Sequence, residues 1–163
     1  MSAAASCQNK PVEKQFMNVT LESITIENFE TLMDMELPPA QARFLASNAY
    51  SIAQSHYYPD WRPRAIYCDG APVGFALYDV TGNDEPGHYA IYRLMVDYPQ
   101  QNKGIGRLAM GQLLSEIRGC ADARRITICY KPDNATARRF YASLGFVETD
   151  IDELGEMVAE ILL

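Results

Sequence analysis

The chain is 163 residues long, 48% hydrophobic and 21% charged, with a formal net charge of −7; that is enough apolar material for one domain with a buried core and too little for two. The acidic balance argues against a general nucleic-acid binder. No apolar run approaches the roughly 20 residues of a membrane helix and the N-terminus has neither a basic nor an apolar leader region, so a soluble cytoplasmic protein without a membrane partner is expected.

In chain order, residues 1–16 (MSAAASCQNKPVEKQF) are small, polar and aperiodic and read as a mobile lead-in, leaving 17–163 as the single domain. VTLESI (19–24) alternates as a first strand. Thr25 or Asn28 is placed to cap a helix through Met35, and Pro38-Pro39 ends it before a second helix running to about Ala53. Two strand-like runs, Arg64 to Cys68 and Val73 to Val80, meet around Asp69-Gly70 as a hairpin. A polar turn leads to a strand from Tyr89 to Val96. Ile105, Ala109, Leu113 and Ile117 then recur at helical spacing through 119, RRITICY (124–130) reads as a strand, and Asn134 to Leu144 as a helix ended by Gly145. FVETDI and EMVAEILL close the chain as strands. This order predicts an α/β (α+β) fold: a mixed central sheet with helices on both faces, in which the strands ending at Val96 and at Cys129 are parallel neighbours joined by a helical crossover.

The four cysteines, Cys7, Cys68, Cys120 and Cys129, form no CxxC pair and no metal-ligand spacing, so reduced, mostly buried thiols and no metal are expected. Charge is unevenly spread. Residues 1–90 carry 5 basic and 11 acidic side chains, 91–147 carry 9 and 4, and 148–163 carry 0 and 6. The basic segment contains QQNKGIGRLAMG (101–112), where a strand gives way to a helix through two glycines. Glycines at 104 and 106 let main-chain amides approach a ligand, at the positive end of the following helix, with Lys103 and Arg107 beside them. That combination suits a pyrophosphate. Neither GxxxxGK[ST] nor GxGxxG is present, which removes support for a nucleotide triphosphatase or a dehydrogenase.

Gln101-Asn102-Lys103-Gly104-Ile105-Gly106 resembles the Q/R-x-x-G-x-G/A loop of the GNAT N-acetyltransferases, and Asn134, Ala137, Tyr141, Gly145 and Phe146 resemble that superfamily's later N-x-x-A-x-x-x-Y-x-x-x-G-F segment. NAYSIAQSHYYPDWRPRAIY and YRLMVDYPQQNKGIG are similar, more narrowly, to bacterial spermine/spermidine acetyltransferases. The resemblance implies a GNAT fold with acetyl-CoA as cosubstrate in a splay between two parallel strands. It implies that the strand edge at Leu94, Met95 and Val96 pairs with the pantetheine arm and that the amides of Asn102 to Arg107 hold the pyrophosphate, with Gln101 opening the loop. Asn134 and Ala137 would face the pantetheine arm, and Tyr141 would be the acid that protonates the departing sulfur.

Other readings stand beside these. Tyr141 shares a helical face with Ala137 and Leu144 and suits a core aromatic, Asn134 suits an N-cap, and Arg93 in an apolar strand is either structural or directed at the mouth of the site. Trp61 packs beside Pro59 and Pro63 or lines an acceptor pocket. HYAIYRLMV carries no carboxylate where many superfamily members have a glutamate, so the general base is unassigned; water relayed through Tyr92, His88 or main-chain carbonyls, or loss of the proton to solvent, would serve. The favoured acceptor is a small-molecule amine, a polyamine or diamine, drawn by Asp34, Glu36, Asp84, Glu85 and the acidic 148–160 segment. An aminoglycoside, amino acid or protein N-terminus, or a non-catalytic acyl-CoA-binding module, remains the alternative, and a homodimer is left open.

Overall fold

The computed structural model describes residues 17–81 and 85–163, so the expected lead-in, with Cys7, and Asp84 lie outside the described residues. Seven strands, β1 (Val19–Ser23), β2 (Trp61–Cys68), β3 (Ala71–Asp79), β4 (His88–Val96), β5 (Arg125–Tyr130), β6 (Val147–Ile151) and β7 (Met157–Leu162), form one sheet in the order β1-β2-β3-β4-β5-β7-β6. Only β4 and β5 are parallel; every other neighbouring pair is antiparallel. The β2–β3 hairpin closes through Asp69 (φ 51°) and Gly70 (φ 83°), both left-handed, which is the backbone an Asp-Gly turn supplies.

Five α-helices cover the sheet: α1 (Phe29–Met33), α2 (Pro39–Ala42), α3 (Asn48–Ser55), α4 (Ile105–Arg118) and α5 (Ala135–Ala142). On one face Ile105, Ala109, Met110, Leu113 and Ile117 of α4 pack on Ile66, Ala76, Ile91, Ile126 and Ile128, with Tyr141 of α5 in the same core. On the other face Phe75, Leu77 and Met95 pack against Met35, Leu37, Leu45 and Ile52 from the α1–α3 segment. The helix expected from Pro39 to Ala53 is two helices, because Ser47 adopts an extended backbone (ψ 155°) and its side chain caps α3 by accepting from the Tyr50 amide at 3.2 Å. The three described cysteines are not fully buried: Cys68 and Cys120 are half-buried and Cys129 is exposed.

The site is created by two irregularities of β4. Ile91 lies opposite Tyr78 and Arg93 opposite Leu77, so Tyr92 is an extra residue, a β-bulge. The bulge exchanges the strand's faces: Tyr89 and Ile91 point into the α4 core before it, Leu94 and Val96 after it. β4 also pairs with β5 only from His88↔Arg125 to Ile91↔Ile128, although the strands continue to Val96 and Tyr130. Beyond Ile91 the two parallel strands part.

Candidate active site

A cleft of about 740 Å³ occupies the gap, lined by Tyr92–Val96 of β4, Ile128–Tyr130 of β5 and the next residue Lys131, the loop before α4, the inner face of α5 and the segment 41–46. The edge of β4 facing it can be read from alternation. The Asp97 amide donates to Val73 O at 2.9 Å, so Asp97, Met95 and Arg93 direct their main-chain groups at β3, and Leu94 and Val96 direct theirs at the cleft. Met95 is therefore a correction to the expected ligand edge: its peptide groups serve the sheet and its side chain lies in the opposite core, 3.5 Å from Asn48 Nδ2. Val96 O is taken by Gln101 Nε2 at 3.0 Å, and Gln101 is held in turn by a reciprocal amide pair with Gln41 (3.1 and 3.2 Å). Leu94 N–H and C=O and Val96 N–H are the groups left for a ligand.

The loop before α4 supplies the densest set of donors. Asn102 (φ 63°) and Gly104 (φ 88°) are left-handed, and the amides of Asn102, Lys103, Gly104, Ile105 and Gly106 donate to no acceptor among the described residues. The Arg107 amide, expected to belong to this set, instead donates to Gly104 O at 3.1 Å as part of the helix. Its guanidinium binds Ser143 O at 3.3 Å and Ser143 Oγ, tying α4 to the end of α5. Lys103 points to Gln100 Oε1 (2.8 Å) and does not line the cleft, and the Ile105 side chain is buried in the core, so both contribute through the main chain. At Gly106 a Cβ would come into contact with Val96 Cγ2 (3.7 Å) and Phe140 Cζ (3.8 Å), filling the floor of the cradle. Five free amides at the positive end of a helix fit a diphosphate.

Across the gap, Asn134 caps α5, its Oδ1 accepting from the Ala137 amide at 3.0 Å, while Nδ2 is unbonded among the described residues and the residue lines the cleft beside Ala137. The N-cap and ligand-facing readings of Asn134 are thus compatible. Tyr141 is 8% exposed, its ring set among Tyr130 (5.5 Å), Phe140 (5.2 Å) and Phe146 (5.7 Å), and it lines the cleft with its hydroxyl bonded to no described residue. Burial, and secondarily Tyr130, push its hydroxyl well above the ordinary phenol range, so it stays protonated. Tyr130, which the sequence reading passed over, is fixed from below: its hydroxyl donates to Glu148 Oε1 at 2.7 Å, which also receives Arg138 Nε at 2.6 Å. Burial and then Glu148 push the Tyr130 hydroxyl up to about 12.

The half of the cleft on the α1–α3 side is aromatic and charged. Tyr92 stacks on Trp61 (4.1 Å), which stacks on Tyr58 (4.3 Å), so Trp61 braces the bulge. Of the described acidic residues expected to draw a cation, only Glu156 lines the cleft, paired with Lys131 Nζ at 2.9 Å; Glu85 is turned to Arg125 (2.6 Å). Cys129 lies between the cleft walls, and partial burial, then Asp152 and Glu156, push its thiol up to about 11, which keeps it a protonated bystander. His88 lies outside the cleft lining, its Nε2 2.8 Å from Thr127 Oγ1 and its Nδ1 accepting from Arg125 at 3.0 Å. Tyr130, Lys131 and Glu156 carried one legible signal, their place at or just beyond the ends of the strands that flank the gap.

Residues 29–146 match the Acetyltransferase (GNAT) family. The chain belongs to that family. As a GNAT protein it is an acetyl-CoA-dependent N-acetyltransferase, and the mixed sheet split between β4 and β5 is the family's fold. It is 25% identical over 150 residues to the spermine/spermidine N(1)-acetyltransferase of Bacillus subtilis strain 168, covering 87% of this chain and 97% of that one. Among solved structures it is similar to the PaiA N-acetyltransferase of Thermoplasma acidophilum in complex with coenzyme A (TM-score 0.68, 16% identity, 90% of this chain and 99% of that one). It is also similar to an aminoglycoside acetyltransferase in complex with coenzyme A (TM-score 0.72, 19% identity, 89% and 95%). Among the described residues no group of three or more His, Cys, Asp and Glu could hold a metal, and no helix is long and apolar enough to cross a membrane.

Proposed function

We propose that this GNAT enzyme moves the acetyl group of acetyl-CoA to a primary amine of a polyamine or diamine. The amides of Asn102 to Gly106 hold the pyrophosphate, Leu94 and Val96 pair with the pantetheine arm as an added strand does, and Asn134 Nδ2 and Ala137 bound its other side. Tyr141, buried and protonated, donates its proton to the departing sulfur. Among the described residues the one carboxylate lining the cleft, Glu156, is paired with Lys131, so the acceptor ammonium, with a pKa of about 10, gives its proton to water before attack, and activity rises toward alkaline pH.

The observation that carries the acceptor is the resemblance to the spermine/spermidine acetyltransferase over 87% of the chain. The cleft wall supports it with one carboxylate, Glu156, beside Lys131, which can meet an ammonium away from the reacting nitrogen.

The test is an amine panel with saturating acetyl-CoA, following thiol release. Spermine and spermidine should exceed monoamines, amino acids and an aminoglycoside in kcat/KM, and their KM should rise with ionic strength, while a monoamine's changes little. Polyamines no better than monoamines, or a polyamine KM indifferent to salt, would leave a general amine acetyltransferase.

A further inference from the structure

Arg93 is a cation where a cation is costly. It follows the bulged Tyr92 and lines the cleft, and its place opposite Leu77 directs it toward the α1–α3 side of the sheet. Its Nη1 donates to Tyr92 O at 2.7 Å. Its Nε is fully buried and has no hydrogen-bond partner, and no carboxylate pairs with it among the described residues. A buried donor without an acceptor and a charge without a counter-ion both oppose folding. Among the described residues only Nη1 finds an acceptor.

The position supplies a use. Arg93 immediately precedes Leu94, whose main-chain groups face the gap, and it sits in the half of the cleft across from the cradle, where the acceptor must enter. We propose that Arg93 provides the fixed positive charge of the transfer centre, holding the reacting nitrogen as the neutral amine and opposing the negative charge that grows on the thioester oxygen. A like charge nearby favours loss of the ammonium proton, which leaves to water, and so replaces a general base by electrostatics. The amine lone pair then forms the C–N bond and the carbonyl pair moves to oxygen, against the guanidinium. When that pair returns, the C–S bond breaks; sulfur keeps the bonding electrons and takes a proton, and the added nitrogen loses its second proton to water. The products are the N-acetylamine, coenzyme A as thiol and one proton.

This rests on the splay cleft being the transfer site and on no particular amine. Arg93 is thus an electrostatic group of the site that the motifs of the sequence do not mark.

The experiment uses the best acceptor from the amine panel, saturating acetyl-CoA, and single-turnover rates across pH for the wild type, Arg93→Gln, Arg93→Met and Arg93→Lys, each checked by thermal unfolding. Removing the charge should slow the chemical step by ~10²-fold or more and move the midpoint of the alkaline rise to higher pH. Arg93→Lys should keep the midpoint near that of the wild type and most of the rate, because the positive charge remains. A folded Arg93→Gln or Arg93→Met protein with the wild-type rate and midpoint would overturn the proposal. So would a raised acceptor KM at unchanged single-turnover rate, which would make Arg93 a binding contact for an acceptor's anionic group. A preference for monoamines in the panel would remove the polyamine reading and leave these outcomes unaltered.

Discussion

Tyr141 has a packing role and, in the proposed mechanism, a chemical one that the same ring can fill. Its packing against Tyr130, Phe140 and Phe146 makes it a core aromatic, and its unbonded hydroxyl at the cleft makes it available as an acid. Tyr141→Phe separates the two, since the ring and its burial remain. Turnover should fall by ~10²- to 10⁴-fold with acetyl-CoA affinity little changed; a variant whose single-turnover rate stays near wild type would reduce Tyr141 to packing. At this scale the sequence was a partial guide. Asn134, Gly104 and Tyr141 were legible because each stands at a fixed offset within a motif. Met95 and Arg107 were misread in detail: which way a strand peptide faces and whether an N–H is inside the helix depend on register and partners.

Among the elements, β4 decides the architecture of the site. Its pairing with β3 is unusually close at Gly74, where a Cβ would stand 2.4 Å from Met95 O and 3.3 Å from Val96 Cα, both main-chain atoms that cannot swing away. Gly74→Ala should therefore push β4 off β3 on the side that forms the cleft wall, lowering stability by about 1–3 kcal/mol and weakening acetyl-CoA binding. Denaturant unfolding and calorimetry on the same sample check this, and an alanine variant with unchanged midpoint and affinity would show that the strand yields without consequence. Most elements could be read from periodicity and turn chemistry: the Asp69-Gly70 hairpin, α4 with its Ile105–Ala109–Leu113–Ile117 stripe, and α5 ended by Gly145 at φ 95°. The bulge could not, because HYAIYRLMV holds no glycine or proline to mark it and only the mismatch with β3 reveals the extra residue. The insertion of β7 between β5 and β6 is likewise a choice among long-range pairings that local patterns do not encode.

Across the whole molecule, a chain of net charge −7 concentrates its basic residues in 91–147, the segment that builds the cradle and α5, and leaves the last 16 residues wholly acidic. The anionic cosubstrate would thus meet the basic segment of the chain at the cradle. Everything proposed for the acceptor depends on the cosubstrate lying with its pyrophosphate at the start of α4. The most direct measurement is a calorimetric titration of acetyl-CoA into the wild type, Gly104→Asn and Gly104→Glu. At Gly104 the backbone is left-handed but a Cβ would meet only Met17 Cε at 3.7 Å, so the protein should still fold. Asparagine tolerates that backbone without adding charge and should bind acetyl-CoA nearly as the wild type does. Glutamate sets a carboxylate among the amides meant for phosphate and should weaken binding at least tenfold, or about 1.4 kcal/mol. Wild-type affinity in a folded Gly104→Glu protein would contradict the cradle, and with it the orientation of the cosubstrate on which acetyl transfer in this cleft depends.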